Sequence, residues 1–244
     1  MDRKASLLDT CAALIRDPVA LGTDEPRRVL QDHGPVLLVI AVVSAAIFGG
    51  VVGTYRGGVQ LLYASLKLPM LWVAPILITL PAVRAFYRVC GIAVSYGQVV
   101  VAVLVGCARS ALLLAVASPA LWLMFSVDVD YHWAVLVLCG SLLSSGAVGL
   151  ATVARILPGS GPAKLLANAL AALVVGVVVA QGGWVLRPFV ARPTAEVAFL
   201  RPVECNVFSS TLASWRSARG RYDGWDARPE GLLSGPSEPA EVAR

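Results

Sequence analysis

The stretch that decides the fold runs from Val36 to Gly53 and reads VLLVIAVVSAAIFGGVVG, without a single charged residue. A bilayer core about 30 Å thick needs about 20 mostly apolar residues in helical form. Four further apolar runs follow, at Leu61–Val83, Val99–Val127, Trp133–Ala154 and Leu165–Leu186. Because backbone polar groups must bond internally in lipid, each run is predicted to be a helix. The sequence therefore predicts an all-α membrane protein, a bundle of about five transmembrane helices.

The composition agrees with this class. Of the 244 residues, 57% are hydrophobic and 14% are charged, whereas soluble domains have about 45–50% apolar and about 25% charged residues. The net charge of +5 is modest, so the lipid bilayer is the predicted partner and nucleic acid is not. The five cysteines are scattered without a C-x-x-C pair, which argues against a disulfide scaffold.

The third run, Val99–Val127, is longer than one untilted span and contains Gly106 and Arg109. One interpretation is a short interfacial or re-entrant piece from Gln98 to Gly106, followed by a full span that ends near Phe125. The other interpretation is two spans, of which the first would be too short to cross the bilayer. One crossing is preferred, which gives five spans in total.

The distribution of basic residues predicts the orientation. Lys and Arg are frequent in the leader before the first span and in the loops after the second and fourth spans, and they are sparse in the other two loops. Short loops rich in Lys and Arg stay in the cytoplasm. The N-terminus is therefore predicted to be cytoplasmic, and five spans place the C-terminus on the far side. A sixth crossing would reverse the tail.

Four segments are predicted along the chain. Residues 1–34 form a cytoplasmic leader with a helical spacing of apolar residues that Asp17-Pro18 ends. Residues 35–189 form the helical bundle. Residues 190–219 form an extramembrane cap with an amphipathic helix, and residues 220–244 form a disordered tail rich in Gly, Pro, Glu and Arg. The apolar residues of the leader helix are Leu7, Leu8, Cys11, Leu14 and Ile15.

Three spans repeat small residues at every fourth position, a spacing that lets helix backbones approach closely in lipid. We expect these faces to pack against helices, either of the same chain or of another copy. The three helix-packing sets are Ala45, Gly49 and Gly53; Ser141, Ser145 and Gly149; and Ala172, Gly176 and Ala180. A partner is expected to dock on the segment after the last span, at Arg187, Phe189, Phe208, Leu212 and Trp215.

Lys67 precedes Pro69, Pro75 and Pro81 in the second run. Prolines break the backbone hydrogen-bond ladder, and broken helices often line cavities in transporters. An ionisable residue inside the span would be a candidate for a pore or lipid contact. The preferred interpretation is that Lys67 lies near the interface and extends its amine into the headgroup layer.

Two other basic residues are candidates for lipid contact. Arg109 either binds a lipid phosphate or a neighbouring helix, or it marks the true start of the third span, which is the preferred interpretation. Lys164 follows Gly159-Ser160-Gly161-Pro162-Ala163, which lacks the Gly-Lys-Ser/Thr sequence of a Walker A loop. That segment is predicted to be a turn between helices, in which Lys164 could hold a headgroup phosphate.

Asp128, Asp130 and His132 form the one cluster of carboxylates and imidazole, and a solvated turn is its preferred interpretation over a metal site. No Ser-His-Asp, H-E-x-x-H or Cys-His arrangement is present in the sequence. The sequence therefore predicts no enzyme activity, no catalytic residue, no metal and no cofactor. The leading hypothesis is a membrane subunit that scaffolds or anchors a larger assembly; the alternatives are a channel or transporter component and, last, an enzyme acting on lipid.

The order of features from Leu14 to Phe125 resembles the bacterial branch of the Yip family of multi-span membrane proteins. The matching elements are Ile15-Arg16-Asp17-Pro18, the segment from Leu61-Leu62-Tyr63 to Lys67-Leu68-Pro69, Gly91, Gln98 and Ser118-Pro119. The resemblance covers about half the chain and implies five spans and a cytoplasmic N-terminus, in a bacterial inner membrane. Eukaryotic members act in membrane trafficking with small GTPases, but their Asp-Leu-Tyr-Gly-Pro signature is missing from this sequence. GTPase binding is therefore not transferred.

Overall fold

The computed structural model describes residues 6–127, 129 and 131–186, and these residues form eight helices and no strand. They all belong to one compact unit, Met1–Pro202, whereas a second unit, Val203–Arg244, lies outside the described residues. The predicted cap, the tail and the five docking residues from Arg187 to Trp215 also lie outside them.

Five of the helices are long and apolar enough to cross a membrane. They are α4 (Gly34–Thr54), α5 (Val59–Val89), α6 (Tyr96–Phe125), α7 (Tyr131–Ile156) and α8 (Gly161–Leu186). This number of helices and their order confirm the predicted all-α bundle. Helix α5 has 31 residues, so at 1.5 Å per residue it is about 46 Å long and exceeds the hydrocarbon core of a bilayer.

The leader folds into three short helices: α1 (Leu7–Arg16), α2 (Pro18–Thr23) and α3 (Pro26–Asp32). Helix α1 ends directly before Asp17, whose Oδ1 accepts a hydrogen bond from the Ala20 amide at 3.0 Å and so caps α2. Pro18 occupies the first position of α2, where its missing N–H has no helical acceptor to lose. The predicted stop at Asp17-Pro18 is thus also the start of the next helix.

The leader packs on one end of the bundle, called the leader end below. Leu14 is fully buried, and Gly22 approaches α7 so closely that a Cβ there would lie 2.4 Å from Cδ1 of Ile156. The outer side of α1 is apolar as well, since Leu7, Leu8 and Ile15 are exposed. The predicted amphipathic helix is present. It packs against the bundle through Leu14, and part of its apolar surface remains exposed.

Helices α4, α5 and α6 form the centre of the bundle, with α4 packed along both of the others. Helix α7 packs on the far side of α6, and α8 packs on α5. Helices α7 and α8 make little contact with each other although only four residues join them. Opposite the leader end, the Tyr55 hydroxyl donates to the Val129 carbonyl at 3.2 Å and its ring meets Phe125 edge-on.

The third run is one continuous helix, because α6 extends without interruption from Tyr96 to Phe125. The expectation of a separate interfacial piece from Gln98 to Gly106 was therefore wrong, and so was the alternative of two spans. The helix begins with a capping box in which Ser95 and Gln98 bond each other's backbone N–H groups. One helix in this run gives the preferred count of five.

The prolines of the second run do not break it. Pro69, Pro75 and Pro81 all lie inside the unbroken helix α5. A proline removes one backbone hydrogen bond, and helices in apolar surroundings keep their remaining bonds because no water competes for them. The predicted broken helix was therefore wrong, although the three prolines still remove three backbone hydrogen bonds from α5.

Candidate functional site

Lys67 lies in α5, eight residues after its first residue, and its side chain is fully buried. The side chains of Ala64, Leu68 and Leu71 on the same side of α5 are buried with it. The preferred prediction, an amine that extends to the interface, was therefore wrong. The eight residues place Lys67 about 12 Å along the helix from Val59, and protein atoms cover its side chain completely.

Arg109 lies near the middle of α6 and donates through Nη1 to the Thr152 hydroxyl of α7 at 2.9 Å. The preferred prediction that Arg109 marks the start of a span was therefore wrong. The alternative that it binds a neighbouring helix is what the structure shows. The Thr152 hydroxyl in turn donates to the Val148 carbonyl at 2.8 Å, so the contact ties a charged group to the backbone of α7.

A second set of polar contacts joins α5, α6 and α7 through Ser110. The indole N–H of Trp72 donates to the Ser110 hydroxyl at 3.0 Å, and the Ser145 hydroxyl donates to the Ser110 carbonyl at 2.6 Å. All three side chains are buried. Hydrogen bonds between helices stabilise bundles in apolar surroundings, by about 0.6 kcal/mol each on average, so Ser110 fixes the relative position of three helices.

The small residues of α4 lie against α5. A Cβ at Gly49 would stand 2.4 Å from the Ala64 carbonyl oxygen, and one at Gly53 would stand 2.5 Å from the Leu61 Cα. Ala45 is fully buried on the same side. Only hydrogen at the two glycine positions allows the two backbones to come this close.

The small residues of α7 meet a glycine of α6. A Cβ at Gly149 would lie 3.0 Å from the Gly106 carbonyl oxygen, and a Cβ at Gly106 would lie 2.8 Å from the Gly149 carbonyl oxygen. Ser145 lies on this interface through its bond to Ser110, whereas the Ser141 hydroxyl bonds the Val137 carbonyl of its own helix. Gly106, which made the third run ambiguous, is thus the contact point of α6 with α7.

The small residues of α8 differ from those of α4 and α7. A Cβ at Gly176 would meet no atom within 4 Å, and both Gly176 and Ala180 are exposed. Helix α8 instead contacts α5 through Gly182, which lies against the Leu71 side chain, and through Ala167 and Ala171 on its buried side. Gly176 and Ala180 therefore have no neighbouring helix within the described part of the chain, whereas Ala172 is half-buried and lines a space beside α7.

Polar contacts at the leader end connect α5 to α6 and α8. The Tyr87 hydroxyl donates to Oδ1 of Asn168, and the guanidinium of Arg84 stacks on the Tyr96 ring with 4.2 Å to its centroid. The Lys164 amine donates to the Leu157 carbonyl at 2.7 Å. Lys164 thus caps the C-terminal end of α7, where cations are favoured.

Asp128 and Asp130 lie outside the described residues, as does the side chain of His132. Within the described residues, no group of three or more His, Cys, Asp or Glu side chains is placed to hold a metal ion.

The fold therefore defines an all-α protein whose five apolar helices are compatible with an integral membrane protein. Comparison of the chain with protein-family models, curated proteins and solved structures finds no match.

Sequence reasoning missed the polar partners Thr152, Trp72, Ser110, Tyr87 and Asn168. One signal was available, because Asn168 is the single asparagine in the five apolar runs. A side-chain amide there costs free energy unless it is hydrogen-bonded, which could have flagged it. The partners of Trp72 and Arg109 lie 38 and 43 residues away and leave no local pattern.

Proposed function

We propose that this chain is a non-enzymatic integral membrane subunit that scaffolds or anchors a larger membrane assembly through helix packing. The observation that supports the proposal most is the open part of the small-residue face of α8, formed by Gly176 and Ala180. The same fourth-residue spacing on α4 and α7 supports close backbone contacts within the chain. On α8 it is directed away from α5, where the helix of another subunit could approach as closely.

The experiment that tests this proposal compares two glycines that are equally open. Gly176→Leu adds a side chain on the small-residue face, whereas Gly140→Leu adds one on α7 away from all three faces. Native mass spectrometry after extraction in mild detergent should show complexes for the wild type and for Gly140→Leu, and monomers for Gly176→Leu. Wild-type protein that is monomeric without any co-purifying chain would contradict the proposal.

We also propose the orientation and location that the sequence predicts. Basic residues such as Arg27, Arg84, Arg88 and Arg155 stand at the leader end, and such residues favour the cytoplasmic side. The resemblance to the Yip family supports a bacterial inner membrane and stays a proposal. Labelling of Cys205 from the cytoplasm in intact cells, absent in a Cys205→Ser control, would contradict five spans with a cytoplasmic N-terminus.

The second candidate function is a channel or transporter component. Its support is the fully buried Lys67 in a helix with three internal prolines, since ionisable residues inside a span mark ion or substrate pathways. Solute or ion flux in liposomes should fall with Lys67→Met, which keeps the length of the side chain, and should be unchanged with the exposed control Arg28→Gln. Flux that is indifferent to Lys67, or no flux at all, would remove this candidate.

A further inference from the structure

A groove of about 290 Å³ opens between α7 and α8 near the leader end. It exists because the two helices are joined by a short turn and then make little contact. Most of its lining is apolar, and most of that is alanine, from Ala151 and Ala154 on α7 and from Ala169 and Ala172 on α8. This space is called the α7–α8 groove below.

The α7–α8 groove has polar groups at one place in its lining, where Tyr87 of α5 meets Asn168 of α8. The phenol hydroxyl is the donor to Oδ1 of Asn168, so the two N–H donors of that amide remain for a ligand. Among the described residues, none is hydrogen-bonded to this amide nitrogen. A ligand of the groove therefore needs an acceptor close to Asn168 and apolar groups beyond it.

Two cations flank the mouth of the groove. Arg155 is exposed and follows Ala151 by four residues on α7, and Lys164 precedes Asn168 by four residues on α8, so each lies one helical turn towards the leader end. Lys164 uses one donor for the Leu157 carbonyl and has three in total. The mouth of the groove is thus positively charged and keeps free donors.

The depth of these groups matches the layers of a bilayer. Helix α8 has 26 residues and is about 39 Å long, close to the 40–45 Å of a bilayer with its headgroups. Lys164 lies three residues after Gly161, about 5 Å from the helix start, and Ala172 lies about 12 Å further. The cations therefore stand at headgroup depth, and the alanine walls extend into the hydrocarbon.

We propose that the α7–α8 groove binds an anionic phospholipid. Lys164 and Arg155 hold its phosphate, the Asn168 amide donates to an ester carbonyl, and an acyl chain lies along the alanine walls. Charge complementarity selects this occupant over an apolar helix, which would leave both cations and the amide unmatched. It also selects against a zwitterionic lipid, whose choline group would stand beside the two cations. Basic pockets between helices are a known form of headgroup recognition.

Native mass spectrometry tests this proposal on the full chain reconstituted with equal amounts of phosphatidylglycerol and phosphatidylcholine of identical acyl chains. The wild type should retain phosphatidylglycerol at least fivefold over phosphatidylcholine. Arg155→Gln should lower that ratio about fivefold, the effect expected for one basic residue at a membrane surface. Arg28→Gln removes an exposed charge at the same end and should leave the ratio unchanged. No preference in the wild type, or equal losses in both variants, would overturn the proposal.

A second pair of variants tests the space in the groove independently of the charges at its mouth. Ala169→Leu fills the groove and should reduce retention of phosphatidylglycerol, whereas Ala117→Leu, at an exposed position of α6 that does not line the groove, should not. Lys164→Gln also removes a cap of α7, so Lys164→Arg serves as the conservative variant and should retain the lipid. Inorganic phosphate at the lipid concentration should not displace the lipid; displacement, or full retention in Ala169→Leu, would show that the groove does not hold a lipid.

Discussion

The α4–α5 interface and the outward face of α8 carry the same sequence pattern with opposite structural outcomes. Gly49 and Gly53 lie against the backbone of α5, where a Cβ would stand 2.4 and 2.5 Å from the nearest atom. Gly176 has no atom within 4 Å of that position. The difference lies in the topology, because α4 lies between two helices and α8 contacts one. A small-residue spacing therefore provides the capacity for close contact, and the order of the helices decides whether the chain itself uses it.

The largest expected effect comes from filling the two kinds of glycine with the same side chain. Gly49→Leu should lower the free energy of unfolding by about 3 kcal/mol, because the new side chain forces two backbones apart. Gly176→Leu should change it by less than about 0.5 kcal/mol, as expected for an open site. Unfolding in mixed micelles, followed by circular dichroism, measures both. Equal losses of unfolding free energy from the two substitutions would contradict the distinction between the α4–α5 interface and the outward face of α8.

The next effect concerns the pair Gly106 and Gly149 between α6 and α7. Gly106→Ala and Gly149→Ala should each lower the free energy of unfolding by about 2 kcal/mol, because each new Cβ meets the carbonyl oxygen of the other residue. Once the first substitution has moved the two helices apart, the second substitution should lower the free energy of unfolding by less. A double-mutant cycle should therefore show a combined loss at least about 0.5 kcal/mol smaller than the sum. Strict additivity would mean that the two glycines do not share one contact.

A smaller loss is expected from the bond between Arg109 and Thr152. Thr152→Val keeps the shape of the side chain and removes the acceptor of the guanidinium, which should cost about 1.5 kcal/mol. Thr79→Val is the matched control, since the buried Thr79 hydroxyl bonds carbonyls of its own helix only. In thermal unfolding in detergent, Thr152→Val should therefore have a lower midpoint temperature than Thr79→Val. The reverse order would argue against a stabilising contact between α6 and α7 at this position.

The smallest effect concerns the attachment of α8 to α5. Tyr87→Phe deletes the hydroxyl that donates to Asn168 and should cost about 0.6 kcal/mol. The exposed Tyr96 offers a control, because Tyr96→Phe keeps the aromatic ring on which Arg84 stacks. The same unfolding assay should place Tyr96→Phe within error of the wild type. A loss in Tyr96→Phe as large as that in Tyr87→Phe would remove the assigned role of the Tyr87–Asn168 bond.

Much of the fold could be predicted because span length and apolar composition follow from bilayer thickness alone. The run Val36–Gly53 became helix Gly34–Thr54, and Leu165–Leu186 became Gly161–Leu186. The second run extends to Val89, past its predicted end at Val83, and the added part of α5 contains Arg84 and Arg88, whose charges ended the apolar run. A prediction from hydropathy assigns such charged residues to a loop, although the helix continues through them.

The candidate site was less predictable, because it depends on which helices become neighbours. The burial of Lys67 and the Arg109–Thr152 bond both require α5, α6 and α7 to be placed in space, and no local spacing contains that information. Gly106 was the predicted end of a separate interfacial piece in the third run, whereas it is the residue that contacts Gly149. Likewise, three equivalent small-residue patterns could not show that α8 alone leaves its pattern open.

Photo-cross-linking in intact membranes tests the scaffold proposal most directly. A benzophenone amino acid at position 176 places the probe on the open face of α8, and the same residue at position 140 places it on α7, with equal room at both sites. We expect covalent adducts with a second copy of the chain or with one defined membrane protein from position 176, and lipid adducts alone from position 140. Lipid adducts alone from both positions would contradict the proposal that the open face of α8 joins this chain to an assembly.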